Sequence, residues 1–148
     1  GWLYLVIILD LFSRQIVGWS MDKYMTKELV INAFNMAYFR RRPEVGIIFH
    51  SDRGSQYCSL EFQNRLASCG AISSMSGKAT ALNAVSESFF GSLKTERVYF
   101  ANYQTREEAR LDIVDYIEMF YNSRRLHSYL GYTSPRQFET AWLLAKAA

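Results

Sequence analysis

Apolar residues fill positions 3 to 9, Leu3-Tyr4-Leu5-Val6-Ile7-Ile8-Leu9, and return in Gln15-Ile16-Val17-Gly18-Trp19-Ser20 after the polar break Ser13-Arg14. Both runs are rich in β-branched and aliphatic side chains, which predicts the two strands of a hairpin. From Thr26 the period lengthens: Leu29, Ala33 and Ala37, with Val30, Phe34 and Tyr38 beside them, recur at helical spacing. Thr26 is placed to cap this helix and Pro43 to end it after Arg40-Arg41-Arg42. Gly46-Ile47-Ile48-Phe49 is a short apolar run of the kind that forms an interior strand, and it delivers His50-Ser51-Asp52 just before the turn signal Arg53-Gly54-Ser55.

A second helix is predicted from about Ser59, with Phe62, Leu66 and Ala67 on one side and Gly70 closing it, followed by a strand over Ala71–Met75. Ser76-Gly77-Lys78-Ala79-Thr80 is the best loop candidate. Helical periodicity resumes from about Leu82 to Val98, with Val85, Phe89 and Leu93 on one face. Thr105-Arg106-Glu107-Glu108 and Ser134-Pro135-Arg136-Gln137 both have capping-box spacing. The first opens a helix through Leu111, Val114, Tyr116, Ile117 and Phe120-Tyr121; the second opens a terminal helix through Phe138, Ala141, Trp142 and Ala145. The predicted order is strand, strand, helix, strand, helix, strand, then helices: a mixed α/β sheet with a C-terminal helical extension. Residues 1–148 are read as one domain, without repeat or linker.

Composition changes this picture little. The chain has 17 Lys and Arg against 14 Asp and Glu, a net charge of +3, and no basic tail, so charge alone is a weak pointer to a polyanionic partner. The apolar run before Asp10 is too short to span a bilayer and lacks the basic flank of a signal peptide. A cytoplasmic protein without membrane association is expected. Cys58 and Cys69 form no Cys-x-x-Cys pair, and His50 and His127 lie far apart, so zinc and disulfides are disfavoured.

Candidate chemistry rests on two carboxylates. Asp52 ends a strand and Glu87 lies on a helix; metal-dependent phosphodiester chemistry uses carboxylates converging from separate elements, because hard Mg²⁺ takes oxygen ligands and keeps room for water and phosphate. Asn83, Glu87, Gly91 and Lys94 fall at steps of four, four and three, one stripe of the helix. Gly91 costs about 1 kcal/mol of helix stability relative to alanine, which makes sense where a ligand backbone comes close. Periodicity alone favours an ordinary solvated face, with an acid and a base that never meet. Arg40–Arg42 likewise suit either DNA or the negative end of a helix dipole, and Arg124, Arg125 and His127, interleaved with Tyr121, Tyr129 and Tyr132, suit either phosphate and base contacts or a core edge with solvated arginines.

Several stretches in order resemble the integrase-core family of transposases, in particular bacterial insertion-sequence transposases related to retroviral integrases. These are Gly1–Leu5 with Leu9–Arg14; His50-Ser51-Asp52-Arg53-Gly54-Ser55-Gln56-Tyr57; Asn83–Phe90 with Leu93-Lys94-Thr95-Glu96; and Tyr121-Asn122, Arg125, His127, Leu130-Gly131-Tyr132 and Ser134-Pro135. The resemblance implies an RNase H-like fold and a triad of two aspartates and a glutamate holding two Mg²⁺ or Mn²⁺ ions for DNA cleavage and strand transfer. On it Asp52 is the second acid, Glu87 the third and Lys94 a DNA-backbone contact. Arg53, Asn83, Arg124 and Arg125 are further candidate DNA contacts. Transposon-end and target DNA are the implied ligands, further transposase subunits, identical or not, the implied partners, and the nucleoid the implied location.

The resemblance also places a first aspartate, and the central strand that carries it, ahead of Gly1. The two-metal site is therefore expected to be incomplete and the chain inactive as it stands, and the neighbours of that strand are expected to lack backbone partners. Asp10 belongs to the family's next strand; its expected role is to hydrogen-bond the Phe12-Ser13-Arg14 turn. The family's polar loop before the glutamate is replaced by Gly77–Leu82, leaving 34 residues (87 − 52 − 1) between Asp52 and Glu87 where the family has one more. The alternative function is a catalytically inactive remnant that only binds DNA or transposase subunits.

Overall fold

The computed structural model describes residues 1–76 and 81–148. Of the loop expected at residues 76–80, residues 77–80 lie outside the described residues. The chain forms two compact units, residues 1–8 with 17–91 and residues 9–16 with 92–148.

In the first unit, β1 (Tyr4–Leu9) and β2 (Ile16–Asp22) pair as one two-stranded sheet, and β3 (Ile48–Ser51) and β4 (Ile72–Met75) as another. β3 and β4 run parallel, with Ile48 opposite Ile72 and Ser51 opposite Met75. Among the described residues the two sheets are not hydrogen-bonded to each other. A five-stranded sheet whose central strand does not lie among these residues has this arrangement, as expected.

Helix α1 (Lys27–Arg41) starts where Thr26 Oγ1 accepts the Leu29 N–H and stops where Arg42 turns left-handed at φ 44° and donates its N–H to the Tyr38 carbonyl. Its buried face, Leu29, Val30, Ala33 and Phe34, packs with Val6 and with Phe62 and Leu66 of α3 (Leu60–Ser68). Gly18 of β2 permits close approach of α1: an added Cβ would lie 2.3 Å from the Ala33 carbonyl oxygen and 2.9 Å from the Ala37 Cβ. Helix α3 is capped by Ser59, whose Oγ accepts the Phe62 N–H, and Gly70 at φ +72° turns the chain into β4.

β3 begins two residues later than the predicted run, and among the described residues its hydrogen-bonded neighbour is β4. Strand side chains alternate faces: Phe49 points to Phe34 and Phe62, while Ile48 is 65% exposed and Ile72 55% exposed. The later start carries the strand to Ser51 and leaves Asp52 as the first residue beyond it.

Helix α4 (Ala81–Glu96) is continuous. In the second unit it is followed by a 3₁₀ turn over Val98–Phe100 and by α5 (Arg106–Asp115), capped as predicted by Thr105 Oγ1 on the Glu108 N–H; the Glu108 carboxylate reaches back one residue further than a capping box requires, to the Gln104 N–H. The predicted long helix does not continue as α. Over Tyr116–Tyr121 the turn widens, and Asn122 and Arg125 donate to carbonyls five residues back, Ile117 at 3.1 Å and Phe120 at 2.7 Å. The terminal helix α6 (Pro135–Ala147) has the complete box: Ser134 Oγ accepts the Gln137 N–H at 3.2 Å and Gln137 Oε1 accepts the Ser134 N–H at 3.1 Å. Ser134 is fully buried. Ser134→Ala is expected to cost about 1–2 kcal/mol, read as a lower melting temperature with unchanged helix content at low temperature.

Candidate active site

Asp52 owes its position to the aromatic anchor beneath β3. Phe49 packs edge-on against Phe62 at 5.3 Å and Phe34 at 5.7 Å, and Tyr57 closes the cluster against Phe62 at 5.8 Å. Just past the strand, Asp52 Oδ1 accepts the Gly54 N–H at 2.7 Å, a local turn that fixes the carboxylate while leaving it exposed. Gly54 leaves room for these side-chain ends: an added Cβ would stand 2.9 Å from Asp52 Oδ1 and 2.9 Å from Gln56 Nε2, and they would have to shift. The short helix α2 (Ser55–Cys58) begins at once, bringing Tyr57 near enough that burial, and then the Asp52 charge, push its phenol up to about 12.

His50, two residues before Asp52, bridges β3 to β4. Its Nδ1 lies 3.0 Å from Ser74 Oγ and its Nε2 2.8 Å from Ser76 Oγ. This tie beside the strand end was not legible in the sequence, because it depends on the parallel register that sets His50 opposite Ser74.

Glu87 is exposed on α4 and makes no side-chain hydrogen bond or ion pair to any described residue. Gly91, one turn later, is exposed, and an added Cβ there would meet nothing within 4 Å. No described residue crowds the space that a side chain at 91 would take. Asp52 and Glu87 are oxygen donors of the kind a hard divalent cation takes. Among the described residues no group of three or more His, Cys, Asp or Glu is placed to hold a metal, so they fit such an ion in kind but do not complete a triad. Asp10 serves the turn, as expected: its Oδ1 accepts the Phe12 N–H at 2.8 Å and the Ser13 N–H at 3.4 Å.

Of the candidate DNA contacts, Arg53 and Asn83 belong to the first unit and Lys94, Arg124 and Arg125 to the second. Arg53, Lys94 and Arg124 are exposed. Arg125 is engaged: its guanidinium meets both Glu96 oxygens, Nε at 2.9 and 3.0 Å and Nη2 at 2.7 Å, and Nη2 also reaches Ser92 Oγ at 3.2 Å. The Tyr116 hydroxyl donates to Glu96 Oε1 at 2.8 Å. The Arg125 hydrogen bond, supported by Tyr116, holds the Glu96 carboxyl below its ordinary range, with burial opposing. His127 stacks edge-on against Tyr121 at 4.7 Å, and burial, then the Arg125 charge, lower its imidazole's affinity for protons.

Residues 1–81 match the integrase core domain family, and residues 87–143 match a second family of the same description. The chain belongs to the integrase core family. Among curated relatives, this integrase core is 47% identical over 140 residues to the transposase for insertion sequence element IS904 of Lactococcus lactis, covering 94% of this chain and 55% of the relative. It is 45% identical over 140 residues to the transposase InsF for insertion sequence IS3A of Escherichia coli, covering 94% of this chain and 49% of the relative. The chain thus spans about half the length of the curated relatives it matches.

Solved structures agree on the fold. The simian T-cell lymphotropic virus intasome with the PP2A regulatory subunit B56 gamma aligns with TM-score 0.69 at 19% identity, over 90% of this chain and 47% of that one. The HTLV-2 integrase catalytic core domain in complex with magnesium, in its trimeric form, aligns with TM-score 0.64 at 18% identity, over 88% and 80%. The fold is the RNase H-like one of integrase catalytic cores. No described helix is long and apolar enough to cross a membrane.

Proposed function

We propose that the chain is the catalytic core of an insertion-sequence transposase that cleaves and joins DNA strands with divalent metal ions. The observation that carries this reading is the pair of exposed carboxylates on separate elements, Asp52 at the carboxyl end of β3 and Glu87 on α4, in a member of the integrase core family. Asp52 and Glu87 would hold Mg²⁺ or Mn²⁺, a two-metal site to which the described residues contribute two ligands. Such ions supply an activated water or DNA 3′-hydroxyl and stabilise the leaving oxygen. The named relatives are transposases and one similar structure contains magnesium, which supports the reading.

In this proposal Arg53 and Asn83 of the first unit and Lys94 and Arg124 of the second contact the DNA backbone of transposon ends and target. The working form is an assembly of identical or related subunits at the nucleoid. Asp52 stays oriented by its Gly54 hydrogen bond, and His50 holds the strand end that carries it. The test is strand transfer on labelled insertion-sequence ends with Mn²⁺, using the longest translated product that contains this sequence. Metal-dependent joining supports the proposal; salt-sensitive DNA binding with no joining in Mn²⁺ or Mg²⁺ establishes the alternative, a binding and assembly module.

Gly91 gives a second prediction. Gly91→Ala is expected to stabilise α4 by about 1 kcal/mol, raising the melting temperature, and yet to weaken DNA binding, because the added methyl stands where the DNA backbone approaches. An unchanged DNA affinity would remove Gly91 from the contact surface.

A further inference from the structure

The adjacent arginines 124 and 125 do different things. Arg124 is exposed and its side chain has no hydrogen bond or ion pair to any described residue. Arg125 forks onto Glu96 through three contacts of 2.7–3.0 Å and onto Ser92 at 3.2 Å, while its guanidinium lies 5.8 Å from the centre of the Tyr121 ring and Tyr116 holds Glu96 from another side. A planar fork on a carboxylate is the geometry that only arginine supplies.

Ser92 and Glu96 are one turn apart and share a face of α4. Lys94 lies midway between them, about 200° around the helix from each, and is exposed. Gripping Ser92 and Glu96 from one side therefore turns Lys94 to the other. Glu87, seven residues before Lys94 (94 − 87) on the same continuous helix, stands within about 20° of the same azimuth. We infer that Arg125 is a positioning residue, a latch that sets the rotation of α4 by holding Glu96 and Ser92 and so presents the Glu87–Gly91–Lys94 stripe outward. The inference rests on the metal and DNA roles proposed above for Glu87 and Lys94, and it takes Arg125 out of the set of direct phosphate contacts.

Glu96 makes the test discriminating. If Arg125 contacted phosphate directly, Glu96→Gln would release it and remove a repelling charge, and DNA binding would tighten. The latch requires the opposite sign. In the longest product containing the sequence, Mn²⁺ affinity by calorimetry and DNA affinity as a function of salt are measured for Arg125→Gln, Arg125→Lys, Glu96→Gln, the Arg125→Gln/Glu96→Gln double variant, Arg124→Gln and Glu87→Gln.

The latch predicts that Arg125→Gln, Arg125→Lys and Glu96→Gln each weaken Mn²⁺ binding by about 10-fold, the lower end of what a supporting shell contributes, and weaken DNA binding too. The double variant should be no worse than either single, because the two residues act as one unit. Arg124→Gln should instead lower the salt slope of DNA binding by about 0.9 and leave Mn²⁺ affinity intact. Tighter DNA binding by Glu96→Gln, or wild-type Mn²⁺ affinity in Arg125→Gln, overturns the latch. Wild-type Mn²⁺ affinity in Glu87→Gln overturns the metal reading itself, whatever the latch variants do. Should Arg125→Gln and Glu96→Gln fail to fold, Ser92→Ala, which removes one contact and leaves the ion pair, carries the same test: weakened Mn²⁺ binding supports the latch and unchanged binding overturns it.

Discussion

Glu87→Gln is expected to lower metal-dependent strand transfer by more than about 10³-fold, at least the loss that follows removal of one transition-state-stabilising donor, with fold and DNA affinity close to wild type. The substitution keeps size and helix propensity and removes one negative charge from an exposed position, so it has no folded-state reason to destabilise: Glu87 makes no side-chain hydrogen bond or ion pair to any described residue. A group that pairs with no described residue and is proposed to hold metal separates stability from activity cleanly. Asp52→Asn should lose activity on the same scale, and its Oδ1 can still accept the Gly54 N–H. Single-turnover joining on a pre-cut end, beside a melting curve for each variant, makes the comparison. Joining that survives Glu87→Gln would move the site elsewhere.

The largest stability effect is expected at Asn122. Its side chain is buried, Oδ1 accepting the Ile16 N–H at 2.8 Å and Nδ2 donating to the Ile16 carbonyl at 3.0 Å, so one amide satisfies both backbone groups of a residue that is itself fully buried. Asn122→Ala orphans both. At about 1–3 kcal/mol for each unsatisfied buried group, the loss is about 2–6 kcal/mol, a large share of the 5–15 kcal/mol that holds a typical domain folded. Asn122→Leu should be no better, because apolar volume does not restore the hydrogen bonds. Hydrogen exchange at the Ile16 amide reads the effect directly: protection at that amide should fall steeply, and protection retained in Asn122→Ala would show that another group had taken its place.

These two residues also mark what the sequence yields and what it withholds. Hydrophobic period and capping chemistry located β1, β2, α1, α3 and α6 within a residue or two, because those elements are decided by local patterns: Thr26 and Ser134 cap where expected, and α3 starts just after Ser59. Asp52 was recognisable from a strand running into a turn, and Glu87 from its stripe together with a family resemblance. Asn122 was legible only as part of that resemblance. Its task, pairing with the backbone of Ile16, joins residues 106 positions apart and leaves no periodic trace. The Arg125–Glu96 pair is hidden for the same reason, its partners standing 29 positions apart, and basic residues among tyrosines read equally well as a nucleic-acid surface. The start of β3 was placed two residues early because an apolar run reports that side chains avoid water, not where the ladder begins.

The widened turn at Tyr116–Tyr121 bears on how this family can change length. A π turn holds one more residue than the α turn it replaces, and α geometry is intrinsically the better bonded of the two. Deleting one residue within 116–121 would therefore yield a more regular helix, and a worse protein: everything after the deletion would rotate by about 100° relative to α5, carrying Asn122 away from Ile16 and Arg125 away from Glu96 together. Substitutions in this segment can be gradual, whereas a single-codon deletion is all-or-none. Relatives that diverge in sequence here should still keep its residue count.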